Sequence, residues 1–202
     1  MKTITPTPEE MASRICRFAS LAPVKADYAE SKGIPAEAYA AVAADETFVL
    51  MAPAGMKSAT GEAPPVLGGD GGEVFTVNMV RCPPGDGPLL HAHQTTCETF
   101  FCLNGRFSVK WGDDGEHEIF LDPYDMIAVP PRVVRNFTNV SDADAMLLVL
   151  IQGDRDRFQD VEMRPQDGAA IAARFGDEVF HNLEKAGLRF TAGLTESAEA
   201  AE

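Results

Sequence analysis

Over residues 74–151 the chain is cut into short β-rich runs at nearly regular intervals, and this rhythm narrows the choice of folds more than any other feature. The runs cover residues 74–82, 98–103, 107–111, 116–121, 126–129, 134–139 and 145–151. Asn104-Gly105, Asp113-Asp114-Gly115, Asp122-Pro123 and Ser141-Asp142 separate them, each rich in residues that favour turns. Spacing of this kind predicts an antiparallel sandwich or barrel rather than strands alternating with helices.

The flanks read differently. Thr7-Pro8-Glu9-Glu10 combines a capping hydroxyl, a proline suited to a first turn and a returning acid, which predicts an amphipathic helix to about Ser20 with Met11, Ile15 and Phe18 on one side. Residues 35–44 are alanine-rich, with Tyr39 and Val42 as apolar contacts, and predict a second helix; residues 47–51 read as a strand. The glycines and prolines of residues 53–73 mark a surface loop. Beyond the strands, residues 166–174 and 177–186 read as helices, the latter closed by Gly187, and the tail 196–202 reads as frayed. The chain thus divides into an arm at 1–73, a β-barrel at 74–151 and a helical extension at 152–202, all within one structural domain.

Charge limits the partners. With 31 acidic against 17 basic residues, the net charge of −14 opposes nucleic-acid phosphates and anionic lipid, and no basic cluster interrupts it. No stretch approaches the roughly 20 consecutive apolar residues needed to span a bilayer. The opening Met1-Lys2-Thr3-Ile4-Thr5-Pro6 lacks an apolar run of signal-peptide length, so a cytoplasmic location is expected, with Cys16, Cys82, Cys97 and Cys102 as reduced thiols. Small molecules and other protein chains remain as partners. An anionic substrate would need a local cation to draw it in.

The chemistry is concentrated in residues 85–105, which follow the pattern G-x5-H-x-H-x4-E-x6-G: Gly85, His91, His93, Glu98 and Gly105. Two histidines at i and i+2 on a strand face the same side, so both imidazoles can reach one ion. Glu98 follows a turn and can add a carboxylate oxygen from the neighbouring strand. This stretch resembles the first motif of the cupin superfamily, in which the two histidines and the glutamate are metal ligands. The resemblance implies a cupin-type antiparallel β-barrel, a double-stranded β-helix or jelly roll. It also implies a divalent metal at His91, His93 and Glu98, with Fe, Mn, Ni and Zn all open.

The second cupin motif, usually G-x5-P-x-G-x2-H-x3-N, is degenerate in this chain. Pro130 and Asn139 stand in register, while Tyr124 and Arg132 replace its glycines and Arg135 replaces its histidine ligand. A guanidinium stays protonated and cannot bind a metal. Two arrangements follow. In one, His91, His93 and Glu98 hold the ion as a two-histidine, one-carboxylate face with open positions, and Arg135 faces the substrate. In the other, Arg135 pairs with Glu98 and no metal binds. A dication and a guanidinium about 5 Å apart repel by roughly 6 to 7 kcal/mol at an effective dielectric near 20. An anionic substrate bridging both would offset much of that.

Apolar strand residues Phe100, Val109, Met126, Phe137 and Leu148, with Cys102 in the same parity as Glu98, are candidates to line a ligand cavity as well as the core. His117 and His181 read as solvated surface residues. The leading function is therefore a metal-dependent, dioxygenase-like oxidoreductase acting on a small anionic molecule, with Arg135, Phe100, Cys102, Met126 and Phe137 on the substrate side. The alternatives are a metal-free small-molecule binder using Arg135 as anion anchor, a cupin isomerase, and an interaction module. Cupins commonly dimerise through sheet edges, so a homodimer is expected.

Overall fold

The β-rich runs pair into two five-stranded antiparallel sheets. The structure is a computed structural model that describes residues 1, 3–12, 14–53, 57–58, 61–62, 73–154 and 160–194. Its strands are β1 (Glu46–Met51), β2 (Lys57–Ser58), β3 (Gly61–Glu62), β4 (Glu73–Cys82), β5 (His91–His93), β6 (Cys97–Asn104), β7 (Phe107–Trp111), β8 (His117–Leu121), β9 (Met126–Val129), β10 (Arg135–Asn139), β11 (Ala145–Asp154) and β12 (Val161–Met163). One sheet runs β1-β4-β11-β6-β9 and the other β12-β5-β10-β7-β8, while β2 and β3 form a small separate ladder. From β4 through β7 the chain changes sheet at every step, and it does so again from β8 through β11. That crossing pattern is the expected jelly roll.

Alternation along the strands builds the core. Glu98, Phe100 and Cys102 on β6, Arg135, Phe137 and Asn139 on β10, and Ala145, Leu147 and Val149 on β11 are all buried, each two residues from the next. Phe100, Phe107, Val109, Phe137 and Leu147 pack between the sheets, each large apolar side chain gaining about 1.5–3 kcal/mol on burial. The Phe100 and Phe137 rings meet edge to face, with centroids 5.1 Å apart. Gly87 permits one close approach, since a Cβ there would lie 1.9 Å from the Phe137 carbonyl oxygen.

A second core joins the two flanks. Helices α1 (Pro8–Ala12), α2 (Lys25–Lys32), α3 (Ala36–Val42), α4 (Pro165–Phe175) and α5 (Asp177–Lys185) complete the described elements, with a 3-10 turn at Phe18–Ser20. Tyr28, Tyr39 and Val42 pack with Met163, Ile171, Leu183 and Leu188. None of the helices is long and apolar enough to cross a membrane.

The flanks depart from expectation in several places. The capping box at Thr7 and Glu10 forms, with Thr7 N donating to Glu10 Oε2 at 2.7 Å and Glu10 N donating to Thr7 Oγ1 at 3.2 Å. The helix nevertheless ends at Ala12 rather than near Ser20, because Met11 and Ile15 stay half-exposed and no packing extends it. Helix α2 and strand β12 were not expected. The expected loop at 53–73 lies largely outside the described residues, and the tail 196–202 lies wholly outside them.

The backbone also answers the degenerate motif. Tyr124 and Arg132 are the positive-φ residues other than glycine among those described, at φ 77° and 67°. These are the two positions where the motif has glycine, so the left-handed turns form without the residue that favours them.

Candidate metal centre

His91 and His93 lie at the two ends of β5, and both side chains are buried. The expectation that Glu98 sits on the neighbouring paired strand is corrected: β6 belongs to the opposite sheet, and the carboxylate meets the imidazoles across the barrel interior. The correction has a physical cause, because Gln94, Thr95 and Thr96 form a turn that carries the chain from one sheet to the other before β6 begins at Cys97. One donor atom from each of the three side chains lies within 4.8 Å of the other two. Each histidine's Nε2 stands 3.9 Å from Glu98 Oε2.

Hydrogen bonds fix which nitrogen of each ring faces that point. His91 Nδ1 lies 2.8 Å from the Leu89 carbonyl oxygen, which can only accept, so Nδ1 carries the proton and Nε2 the lone pair. His93 Nδ1 lies 2.8 Å from Asp160 Oδ1, and donation to that carboxylate leaves its Nε2 free as well. Burial, helped by the Arg135 guanidinium, pushes His91 down to about 3, so the ring is neutral at neutral pH. Burial alone would raise Glu98, but the Arg135 guanidinium beside it prevails and holds its carboxyl below the usual range.

Arg135 occupies a different place from that required of a substrate anchor. It is 1% exposed and sits beside His91 in the register of β10 against β5. Its Nε and Nη2 donate to Glu98 Oε2 at 3.0 and 2.6 Å, and its Nη1 donates to the His91 carbonyl oxygen at 3.2 Å. All three guanidinium nitrogens are therefore engaged by the protein. The expectation of an anionic substrate rested on this side chain and loses that support.

A cavity of about 120 Å³ opens beside the three residues between the sheets, walled mainly by apolar side chains such as Val49, Val80, Val149, Ile151 and Met163. Of the expected lining residues Phe137 borders it. Phe100 and Cys102 instead pack in the closed core, because β6 leads away from the site and Cys102 lies about 13 Å along the strand from Glu98. The Cys102 thiol donates to the Asn104 carbonyl oxygen at 3.5 Å. Met126 is 57% exposed, a correction of parity: in the β6–β9 register Phe100 faces Ile127 and Glu98 faces Val129, so the odd positions of β9 point inward. Leu148 is likewise one residue out of phase, and its neighbours Leu147 and Val149 are the buried ones.

Three polar groups that support the site were not expected. Asp160, 6% exposed, accepts from His93, Thr95 and Thr96. Burial would raise its carboxyl, yet the hydrogen bonds from His93 and the two threonine amides hold it at about 2. Nothing in the spacing of the sequence links an aspartate to a histidine 67 positions earlier.

The chemistry of the donor set fits a divalent cation. The two imidazoles each turn Nε2 toward the same carboxylate, Glu98 supplies that carboxylate, and the described hydrogen bonds to it fall on Oε2. Ligands held about 2.1 Å from one ion stand about 3 Å apart, so the donors must close by about 1 to 2 Å to share it.

Comparison with known proteins places a domain within this frame. Residues 78–151 match the cupin domain family. The quercetin 2,3-dioxygenase of Bacillus subtilis (strain 168) is 32% identical over 120 residues, which are 57% of this chain and 34% of that protein. The chain thus spans about a third of the length of this curated relative. Among solved structures, TT1209 from Thermus thermophilus is 22% identical with a TM-score of 0.37, covering 42% of this chain and 77% of that one. The Schizosaccharomyces pombe Cnp3 cupin domain is 12% identical with a TM-score of 0.40, covering 54% and 65%.

Proposed function

Because residues 78–151 of this chain are a cupin domain, we propose that the protein is a metal-dependent, dioxygenase-like cupin acting on a small organic molecule, with His91, His93 and Glu98 as its metal ligands. The observation that carries this reading is the paired restraint of the imidazoles. Both Nδ1 atoms are engaged on the far side of the ring, which leaves both Nε2 lone pairs directed at the Glu98 carboxylate. Any buried imidazole needs a partner for its N–H, but packing alone would not require both remaining nitrogens to face one carboxylate. A divalent ion at such a face supplies Lewis acidity and open positions for oxygen or substrate.

The chain's own residues supply the rest. Phe137, Val149 and Ile151 exclude water from the cavity beside the ligands and favour an apolar body on the bound molecule. Arg135 offsets the Glu98 charge, which lowers the net attraction for a dication and leaves the site to be completed from the substrate side. The dioxygenase-like assignment draws on the similarity to the quercetin dioxygenase.

A second reading has one observation in its favour: the Arg135–Glu98 pair at 2.6 Å can satisfy the carboxylate with no metal at all. The protein would then be a metal-free small-molecule binder, though with Arg135 spent on Glu98 rather than on a ligand anion. Elemental analysis of the full chain, beside a His91→Ala, His93→Ala double variant, separates the two. The metal-dependent reading expects a divalent ion in the wild type and none in the variant, and equal contents in both would overturn it. Nitric oxide binding to the Fe(II)-loaded protein, read by electron paramagnetic resonance, tests for an open coordination position.

A further inference from the structure

One residue beyond the cupin-matching segment reaches back into the site. Asp160 Oδ1 accepts from His93 Nδ1 at 2.8 Å and from Thr96 Oγ1 at 3.1 Å. Its Oδ2 accepts from the backbone N–H groups of Thr95 and Thr96, both at 2.8 Å, and from Thr95 Oγ1 at 3.1 Å. Its carbonyl oxygen accepts from Gln94 N at 3.3 Å. Immediately afterwards β12 pairs with β5, setting Val161 opposite His93 and Met163 opposite His91. The backbone that carries the carboxylate is therefore fastened to the backbone that carries both imidazoles.

We propose that Asp160 is a positioning residue that sets the tautomer and aim of His93, holding the proton on Nδ1 so that the Nε2 lone pair faces His91 and Glu98. The proposal deepens the metal-dependent reading and rests on it for its purpose. One oxygen of Asp160 orients the ring, and the other ties down the turn that spaces His93 from Glu98. A carboxylate can do both because it only accepts, and every group around it can donate.

That requirement makes Asp160→Asn informative. If the asparagine oxygen takes the two threonine amides, its NH2 must face His93 Nδ1, which then has to accept. The proton is thereby driven to Nε2, where it blocks the lone pair. If the amide turns the other way, its NH2 meets two N–H donors and the turn is disturbed.

The test uses the full chain, stripped of metal by chelation and labelled with 15N in its histidines. In the wild type, NMR should show His93 protonated at Nδ1; in Asp160→Asn the proton should move to Nε2. Co(II) affinity of the variant should fall about 10–100-fold, with an altered visible spectrum. Thr96 Oγ1 also lies 2.9 Å from His93 Nδ1. Thr96→Val, which removes that hydroxyl and keeps both Asp160 oxygens, should therefore leave the proton on Nδ1, and its loss from Nδ1 there would assign the tautomer to Thr96 and overturn the proposal. An Nε2-protonated His93 in the wild type would overturn the proposal, and that measurement holds even if Asp160→Asn does not fold. So would an unchanged tautomer and Co(II) affinity in Asp160→Asn. A wild type that binds no Co(II), yet switches tautomer on substitution of Asp160, would sink the metal reading and leave the positioning role standing.

Discussion

Two segments meet at the site, residues 85–105 and residues 124–139, and they compare instructively. The first has every fixed residue of the cupin pattern, and it supplies all three candidate ligands. The second lacks both glycines and the histidine, yet its backbone follows the turns the pattern calls for: Tyr124 and Arg132 stand at positive φ, and Asn139 is fully buried. Asn139 Nδ2 donates to the Cys82 and Ala143 carbonyl oxygens at 2.7 and 2.8 Å, while its Oδ1 accepts from Ser141 N at 2.8 Å. Shape and chemistry are thus specified separately. The second segment builds the same wall of the barrel with a cation where a ligand would stand.

The largest expected effect comes from removing that cation. Arg135→Met leaves the Glu98 carboxylate buried without its partner, and in chelator the variant should lose about 3–5 kcal/mol of stability in urea unfolding. Adding a divalent cation should restore part of the loss, because an ion at the two imidazoles becomes the new partner of Glu98. Equal stability of the two proteins in chelator would break the comparison, since the guanidinium would then not be balancing the carboxylate. A smaller but still large loss is expected of Asn139→Ala. It strands the Cys82 carbonyl oxygen in the core, at about 1–3 kcal/mol, while the Ala143 carbonyl oxygen and Ser141 N–H lie at a turn that water can reach. Its measurement is the same unfolding experiment, with no dependence on metal.

The turns sharpen the comparison further. A residue with a Cβ loses about 1–2 kcal/mol in the left-handed region relative to glycine. Tyr124→Gly and Arg132→Gly should therefore each raise stability by about 1 kcal/mol, and because both side chains are exposed there is little packing to lose. A drop in melting temperature for both would show that these side chains hold the turns by contacts rather than merely tolerating them.

The same contrast explains what the sequence disclosed. Strands bounded by Asn104-Gly105 or Asp122-Pro123 were legible because turn chemistry is local, and the ligand trio was legible because its spacing is fixed within eight residues. Inward and outward faces were less so: Met126 and Leu148 are apolar at positions whose neighbours Ile127, Leu147 and Val149 point inward, and hydrophobicity alone does not set parity in a run that is apolar throughout. Strand β12 has three residues and no alternation to read, and α2 is mostly polar, held by Tyr28 against Tyr39. Asp160 was invisible because its partner is 67 positions away and an isolated aspartate carries no periodic signal. Arg135 was visible as an anomaly, but its direction was not, since only the register of β10 against β5 turns it toward Glu98.

The two histidines carry this distinction into the site itself. His93 is held by a side chain distant in sequence, whereas His91 is held by the main-chain oxygen of Leu89, two residues away. A backbone acceptor has no side chain to delete, so Leu89→Ala should leave the His91 tautomer and the Co(II) affinity unchanged. Leu89 does pack against the helical core, and its truncation should still reduce stability, by less than the roughly 2–5 kcal/mol typical of a fully buried leucine. Parallel unfolding and Co(II) titration of this variant separate the two effects. A fall in affinity as large as that of Asp160→Asn would mean that the carbonyl is aimed by the leucine side chain, and that His91 too depends on packing from outside its own strand.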